Sequence, residues 1–98
     1  MSKATHDTPR QQIQQLTDIV NIGPATRDDL VRVGISRPQQ LIDRDPLKLY
    51  RQVCDLNRMR YDPCVLDVFM SAIDFMNGNP PKKWWDYTAL RKTTYGKL

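Results

Sequence analysis

The chain has 98 residues, 40% hydrophobic and 27% charged, a balance that suits one globular domain and excludes a disordered, fibrous or repeat-built polypeptide. A chain this short buries only about 60 to 68% of its unfolded surface, so a second independent domain is not expected. Its 15 Lys and Arg against 11 acids give a formal net charge of +4, the sign a nucleic-acid partner selects.

Taken in chain order, Ile13, Leu16, Ile19 and Val20 follow helical spacing and predict a first helix ending near Val20. Asn21-Ile22-Gly23-Pro24 breaks it. A second helix starts at Pro24, where a missing N–H costs nothing, with Thr26, Leu30 and Val33 on one face and Gly34 as its stop. Pro38 opens a short third helix through Leu41 and Ile42. Asp45-Pro46, a capping acid followed by proline, opens the fourth, with Leu49, Tyr50, Val53, Cys54 and Leu56 as its apolar stripe.

Asp62-Pro63 repeats that signal and opens the fifth helix. Here Val65, Val68, Phe69, Ala72, Ile73 and Met76 are expected inward, with Asp67, Met70, Ser71 and Asp74 opposite and Asn77-Gly78 as the end. Leu66 and Phe75 flank the stripe, which makes this the central helix. Pro80 and Pro81 then forbid further helix before Lys82-Lys83-Trp84-Trp85-Asp86-Tyr87, and residues 88–92 suit a single helical turn. The expected fold is all-α, about five short helices: a polar leader over 1–15, a domain over 16–92 and a frayed tail over 93–98, with fraying also over the first ten residues.

The stretch L-T-D-I-V-N-I-G-P-A-T-R-D-D-L-V-R-V, from Leu16 to Val33, resembles the helix-hairpin-helix motif, in which a Gly-hydrophobic-Gly turn joins two short helices. Asn21-Ile22-Gly23 occupies the turn, where the backbone reverses through conformations that Gly adopts freely and Asn tolerates. Ile22 is its inward anchor. The ligand that such a turn suits is an anion, met by backbone N–H groups at the start of the second helix and by the helix dipole. The resemblance implies a DNA phosphate contacted without sequence readout, through Asn21, Ile22, Gly23, Pro24, Ala25, Thr26 and Arg27. Donors are the amides of Gly23, Ala25 and Thr26, with the Thr26 hydroxyl and Arg27 as helpers. Departures from the motif are Asn21 for the first glycine, Val20 where proline often stands and Ala25 where lysine often stands, and Asp28-Asp29 adds charge that repels phosphate.

Beyond the turn, the order V-G-I-S-R-P-Q-Q-L, R-D-P-L-K-L-Y, D-P-C-V-L-D-V-F and N-G-N-P-P-K-K-W-W-D-Y-T is similar to the small bacterial pathogenicity-locus family, some of whose members are labelled mitomycin resistance proteins. The resemblance runs from about Leu16 to Lys92 and implies a helix-hairpin-helix or SAM-like domain.

Located along the chain, the charge is +1 over 1–15, −1 over 16–78 and +4 over 79–98. The basic excess therefore lies outside the helical body. Lys82 and Lys83 are auxiliary DNA-contact candidates, and their interleaving with Trp84, Trp85 and Tyr87 also suits a single-stranded nucleic-acid platform. The expectation for the tryptophans is packing, because a small domain short of core gains from burying them. Arg58 and Arg60, with Arg51, form a second auxiliary cluster around the loop before the fifth helix.

Cys54 and Cys64 are too few for a disulfide framework and are not spaced as a zinc pair, and His6 is the one histidine. Neither metal nor cofactor is expected. Cys64, in the first turn of a helix, is a conceivable reactive thiol, but with no base beside it a packed cysteine is favoured. With no glycine-rich nucleotide loop and no catalytic constellation, the chain reads as a non-enzyme without a small-molecule substrate. No apolar run approaches the roughly 20 residues of a membrane span, and the polar start lacks a signal peptide's apolar stretch. The expectation is a cytoplasmic protein binding the DNA backbone without sequence preference, as an accessory to DNA repair, uptake or recombination; the alternative is a SAM-like protein-interaction module.

Overall fold

Prolines and short capping acids set where helices begin. In the computed structural model, which describes residues 3–96, α1 (Pro24–Arg32) and α2 (Pro46–Leu56) open on proline, and α3 (Cys64–Met76) opens directly after Pro63. Asp45 Oδ1 accepts the N–H groups of Leu47 at 3.0 Å and Lys48 at 3.3 Å, and Asp62 Oδ1 accepts that of Cys64 at 2.9 Å. These bonds satisfy amides that a helix start leaves without partners. Three ends share one closure: Gly34, Arg58 and Gly78 take positive φ, and the next N–H reaches the carbonyl five residues back, Ile35 to Leu30, Met59 to Cys54 and Asn79 to Asp74. A final helix, α4, spans Thr88–Tyr95, twice the single turn expected.

The described residues form four α-helices and no strand, with 3₁₀ turns at Arg10–Gln12, Leu16–Asp18, Pro38–Leu41 and Trp84–Tyr87. Two of the five expected helices are therefore corrected to turns. The predicted first helix breaks at Ile13, Gln15 and Ile19, which are all extended. Ile13, Leu16, Ile19 and Ile22 recur every third residue and are all buried, a spacing that tight turns separated by extended residues satisfy as well as an α-helix. Short, uncapped and holding Thr17, Asp18 and two β-branched residues at its end, the segment cannot offset the cost of helix nucleation. The predicted third helix is the Pro38–Leu41 turn, where the Gln40 side chain accepts the N–H groups of Ser36 at 2.8 Å and Arg37 at 2.9 Å.

As expected, α3 is central: Leu66, Phe69, Ala72 and Phe75 have no exposed surface. Its polar face is a correction. Asp67, Met70 and Ser71 are buried, while Val65 and Val68, expected inward, are half-buried. The Trp84–Tyr87 turn and α4 pack on α3, and the buried carboxylate is matched there: Asp67 accepts from Arg91 Nε at 2.6 Å and from Thr88 Oγ1 at 2.8 Å. A period reading assigns polar residues to solvent, and only this partner on a distant segment reverses it. Leu56, expected in the stripe of α2, is 53% exposed.

The N-terminal segment expected to fray lies along the body. Ala4 N–H bonds the Asp18 carbonyl at 2.7 Å, and Arg10 donates to the Phe75 carbonyl at 2.7 Å and the Asn79 carbonyl at 3.0 Å, its guanidinium over the Phe75 ring. Met1, Ser2, Lys97 and Leu98 lie outside the described residues. No described helix is long and apolar enough to cross a membrane.

Asp67–Arg91 is the ionic tie between α3 and α4, with Asp67 fully buried and Arg91 nearly so. Removing one partner leaves a buried charge unmatched, so Arg91→Ala is expected to lower unfolding free energy in urea by about 3 kcal/mol. A loss below about 0.5 kcal/mol would show that the pair does not hold α4.

Candidate nucleic-acid interface

The turn between Ile19 and Pro24 is built around one left-handed residue. Asn21 has φ +68°, a conformation that Asn reaches more readily than residues with larger or branched side chains. The reversal turns Ile22 wholly inward, and its N–H closes on the Ile19 carbonyl at 3.2 Å. Both Asn21 amide hydrogens are used: Nδ2 donates to Ser71 Oγ on α3 at 2.9 Å and to the Lys82 carbonyl at 2.8 Å. From the N-terminal segment, Lys3 Nζ donates to the Thr17 carbonyl at 2.5 Å and the Ile22 carbonyl at 2.6 Å. Burial there pushes the Lys3 ammonium below its ordinary pKa, partly offset by Asp18.

Gly23 is different in kind. Its φ of −97° and ψ of −177° are extended backbone that any residue adopts, and a β-carbon there would meet nothing within 4 Å. It precedes α1, and its carbonyl accepts the Arg27 N–H at 2.9 Å. The amides of Ala25 and Thr26, in the first turn, have no intrahelical acceptor, and among the described residues no side chain caps this end. Pro24 and Ala25 are exposed and Thr26 is half-buried.

The two acids that follow are engaged within the protein. Asp28 pairs with Arg27 Nε at 3.1 Å on the surface. Asp29 turns away, accepting from Tyr61 Oη at 3.1 Å, Arg32 Nη1 at 3.4 Å and Asn57 Nδ2 at 3.5 Å. Burial, then the hydrogen bond to Asp29, raises the Tyr61 phenol above its ordinary value. This node ties α1 to the loop before α3. Between them opens a cleft of about 480 Å³ lined by Ala25, Asp28, Asp29, Arg32 and Met59 to Asp62. Arg60 thus stands across the cleft from the start of α1. Arg51, Arg58 and Arg60 share the neighbouring cleft with Tyr50, Cys54, Asp55 and Met59, and Arg58 holds φ +49°.

The family model for the pathogenicity locus matches residues 9–93. The chain belongs to the pathogenicity locus family. A protein named mitomycin resistance protein McrB, from Streptomyces lavendulae, is 44% identical over 77 residues, which are 79% of this chain and 73% of the relative. No solved structure matches.

In this pathogenicity locus protein the sequence-derived residues fall into three groups. Gly23, Ala25, Thr26 and Arg27 gather at the exposed start of α1, with Arg60 across the cleft. Lys82 and Lys83 are exposed and joined to the turn through the Lys82 carbonyl. Asn21 and Ile22 are structural, one side chain bridging inward and the other filling the core. Sequence reasoning passed over Lys3 and the Asp29 node. Neither left a signal, because both depend on contacts across long separations.

Cys54 and Cys64 are both half-buried free thiols. Burial, reinforced by the neighbouring Asp62 carboxylate, pushes the Cys64 thiol up, whereas the Cys64 backbone N–H holds the Asp62 carboxyl below the usual carboxylate range. A raised pKa leaves less thiolate at neutral pH, and thiolate is the reactive form. Alkylation of the native protein, followed by mass mapping, is therefore expected to modify Cys64 slowly at neutral pH and faster as pH rises through the alkaline range. Rapid labelling in mild acid would contradict this.

Proposed function

We propose that this chain binds the phosphate backbone of DNA, weakly and without sequence preference, through a helix-hairpin-helix turn whose first arm is shortened to a 3₁₀ turn. The observation that carries the reading is Gly23. Neither backbone angle nor crowding inside the protein requires a glycine at this N-cap, and the open space beside its bare backbone leaves room for close approach of an outside group. That group faces the open amides of Ala25 and Thr26 at the positive end of α1, where an anion is favoured.

Positive charge supports the same face. Asn21 holds the Lys82 carbonyl at the turn, with Lys83 next in the chain, and Arg60 flanks the start of α1. Asp29, which would repel a phosphate from the open end, is held by Tyr61, Asn57 and Arg32. Contacts to backbone alone position a duplex and read no bases. The proposed role is accessory, in DNA repair, uptake or recombination, without catalysis and in the cytoplasm.

A second reading, a SAM-like protein-interaction module, is favoured by Val31 on α1 and Leu56 on α2, each about half exposed. Self-association or partner capture indifferent to salt would select it.

Anisotropy of labelled duplex DNA across a salt series tests the first reading. With about four cationic contacts, log affinity is expected to fall with log salt at a slope of roughly −3 to −4. Gly23→Ala is expected to keep the thermal midpoint, since the site accommodates a β-carbon, yet to weaken binding about tenfold. Arg27→Glu weakens it similarly. No binding at low salt, or equal binding by Gly23→Ala, would sink the proposal.

A further inference from the structure

Trp85 is 56% exposed in a chain short of core, while Tyr87, two residues on, is buried. Tyr87 Oη donates to Asp74 Oδ2 on α3 at 2.6 Å, and the Asp86 N–H bonds the Lys83 carbonyl at 3.0 Å, so the turn bearing Trp85 is pinned to the body. Trp84 is half-buried and meets Trp85 edge to face, centroids 5.5 Å apart and planes at 84°. Lys83 Nζ lies 5.8 Å from the Trp85 ring centroid. The indole is thus neither part of the core nor loose: it meets Trp84 at a set angle, with Lys83 over its ring and more than half the residue exposed. Contrary to the packing expectation, only the first tryptophan of the pair is partly covered.

We propose that Trp85 is a stacking platform for an unpaired nucleic-acid base, so that the preferred ligand is DNA in which duplex passes into single strand. A flat aromatic with a lysine over one side suits a base on its other face and a phosphate beside it, and stacking tolerates any base. Bases within a duplex offer no open face, which assigns the platform to the single-stranded side. The geometry joins it to the turn: Asn21 Nδ2 holds the Lys82 carbonyl at 2.8 Å, three residues before Trp85. This inference rests on the hairpin reading for the duplex side of the junction. Asp86, exposed beside Trp85, faces solvent as the one acid of the segment and disfavours a second phosphate there.

Tryptophan emission reports stacking directly, and the Trp84→Phe variant leaves Trp85 as the sole source. With the full chain, a blunt duplex, oligo-dT and a duplex carrying a dT extension are compared by emission and anisotropy at one low salt concentration. Oligo-dT and the tailed duplex are expected to quench Trp85 and the blunt duplex is not. Trp85→Ala is expected to weaken the tailed duplex by about tenfold with blunt-duplex affinity unchanged, and Trp85→Tyr to restore most of the loss. If wild type and Trp85→Ala bind tailed and blunt duplex alike, the platform is overturned and the hairpin reading stands. Quenching by oligo-dT without any duplex binding supports the platform and overturns the hairpin. A blue shift with phosphatidylglycerol vesicles and no quenching by oligo-dT overturns the platform in favour of a lipid surface.

Discussion

One side-chain amide joins three separated stretches of this chain. Asn21 takes a left-handed conformation that reverses the backbone, and the same residue donates to Ser71 in the central helix and to the Lys82 carbonyl in the C-terminal extension. The reversal is what lets Ile22 enter the core and α1 leave in a new direction. Glycine would give the backbone angle but no link. Alanine would give neither, and would leave Ser71 Oγ and the Lys82 carbonyl short of a donor, a loss of about 1 kcal/mol for each bond.

That link changes the meaning of the net charge. Counted along the chain, the positive excess belongs to the two ends, and the body carries −1. In three dimensions both ends return to the turn: Lys3 clasps the Thr17 and Ile22 carbonyls, and Lys82 is held by Asn21. Because exposed charges more than about 8 to 10 Å apart are largely screened, placement rather than total decides what a phosphate meets. Lys3 is spent on the fold. Lys82, Lys83 and Arg60, with Arg27, remain for a ligand, beside a helix start that no described side chain caps.

What the sequence showed was local. Pro24, Pro46 and the Asp45 and Asp62 caps stated helix starts because their effect needs only the next three residues, and Gly34 and Gly78 stated ends for the same reason. Ile22 as anchor followed from the hairpin resemblance, and α3 as centre from apolar density. The failures share one cause, interactions that cross long separations. Asp67 reads as a surface acid until Arg91 and Thr88 cover it, and Trp85 reads as core until Tyr87 takes the buried place. The absent first helix is a separate matter: a spacing of three fits both an α-helix and successive tight turns, and the weak helix formers of Thr17 to Val20 decided for turns. In the turn, glycine is expected where the backbone is strained, but the left-handed residue is Asn21, and Gly23 is extended and unstrained.

The most direct test of a DNA face centred on the Ile19–Pro24 turn is amide chemical-shift mapping of the full chain, titrated with short duplex DNA at low salt. The expected result is a patch of shifts at Gly23, Ala25, Thr26 and Arg27 that continues through Arg60, Lys82 and Lys83 and collapses as salt is added. Shifts confined to the surface around Val31 and Leu56, or none at all, would contradict it.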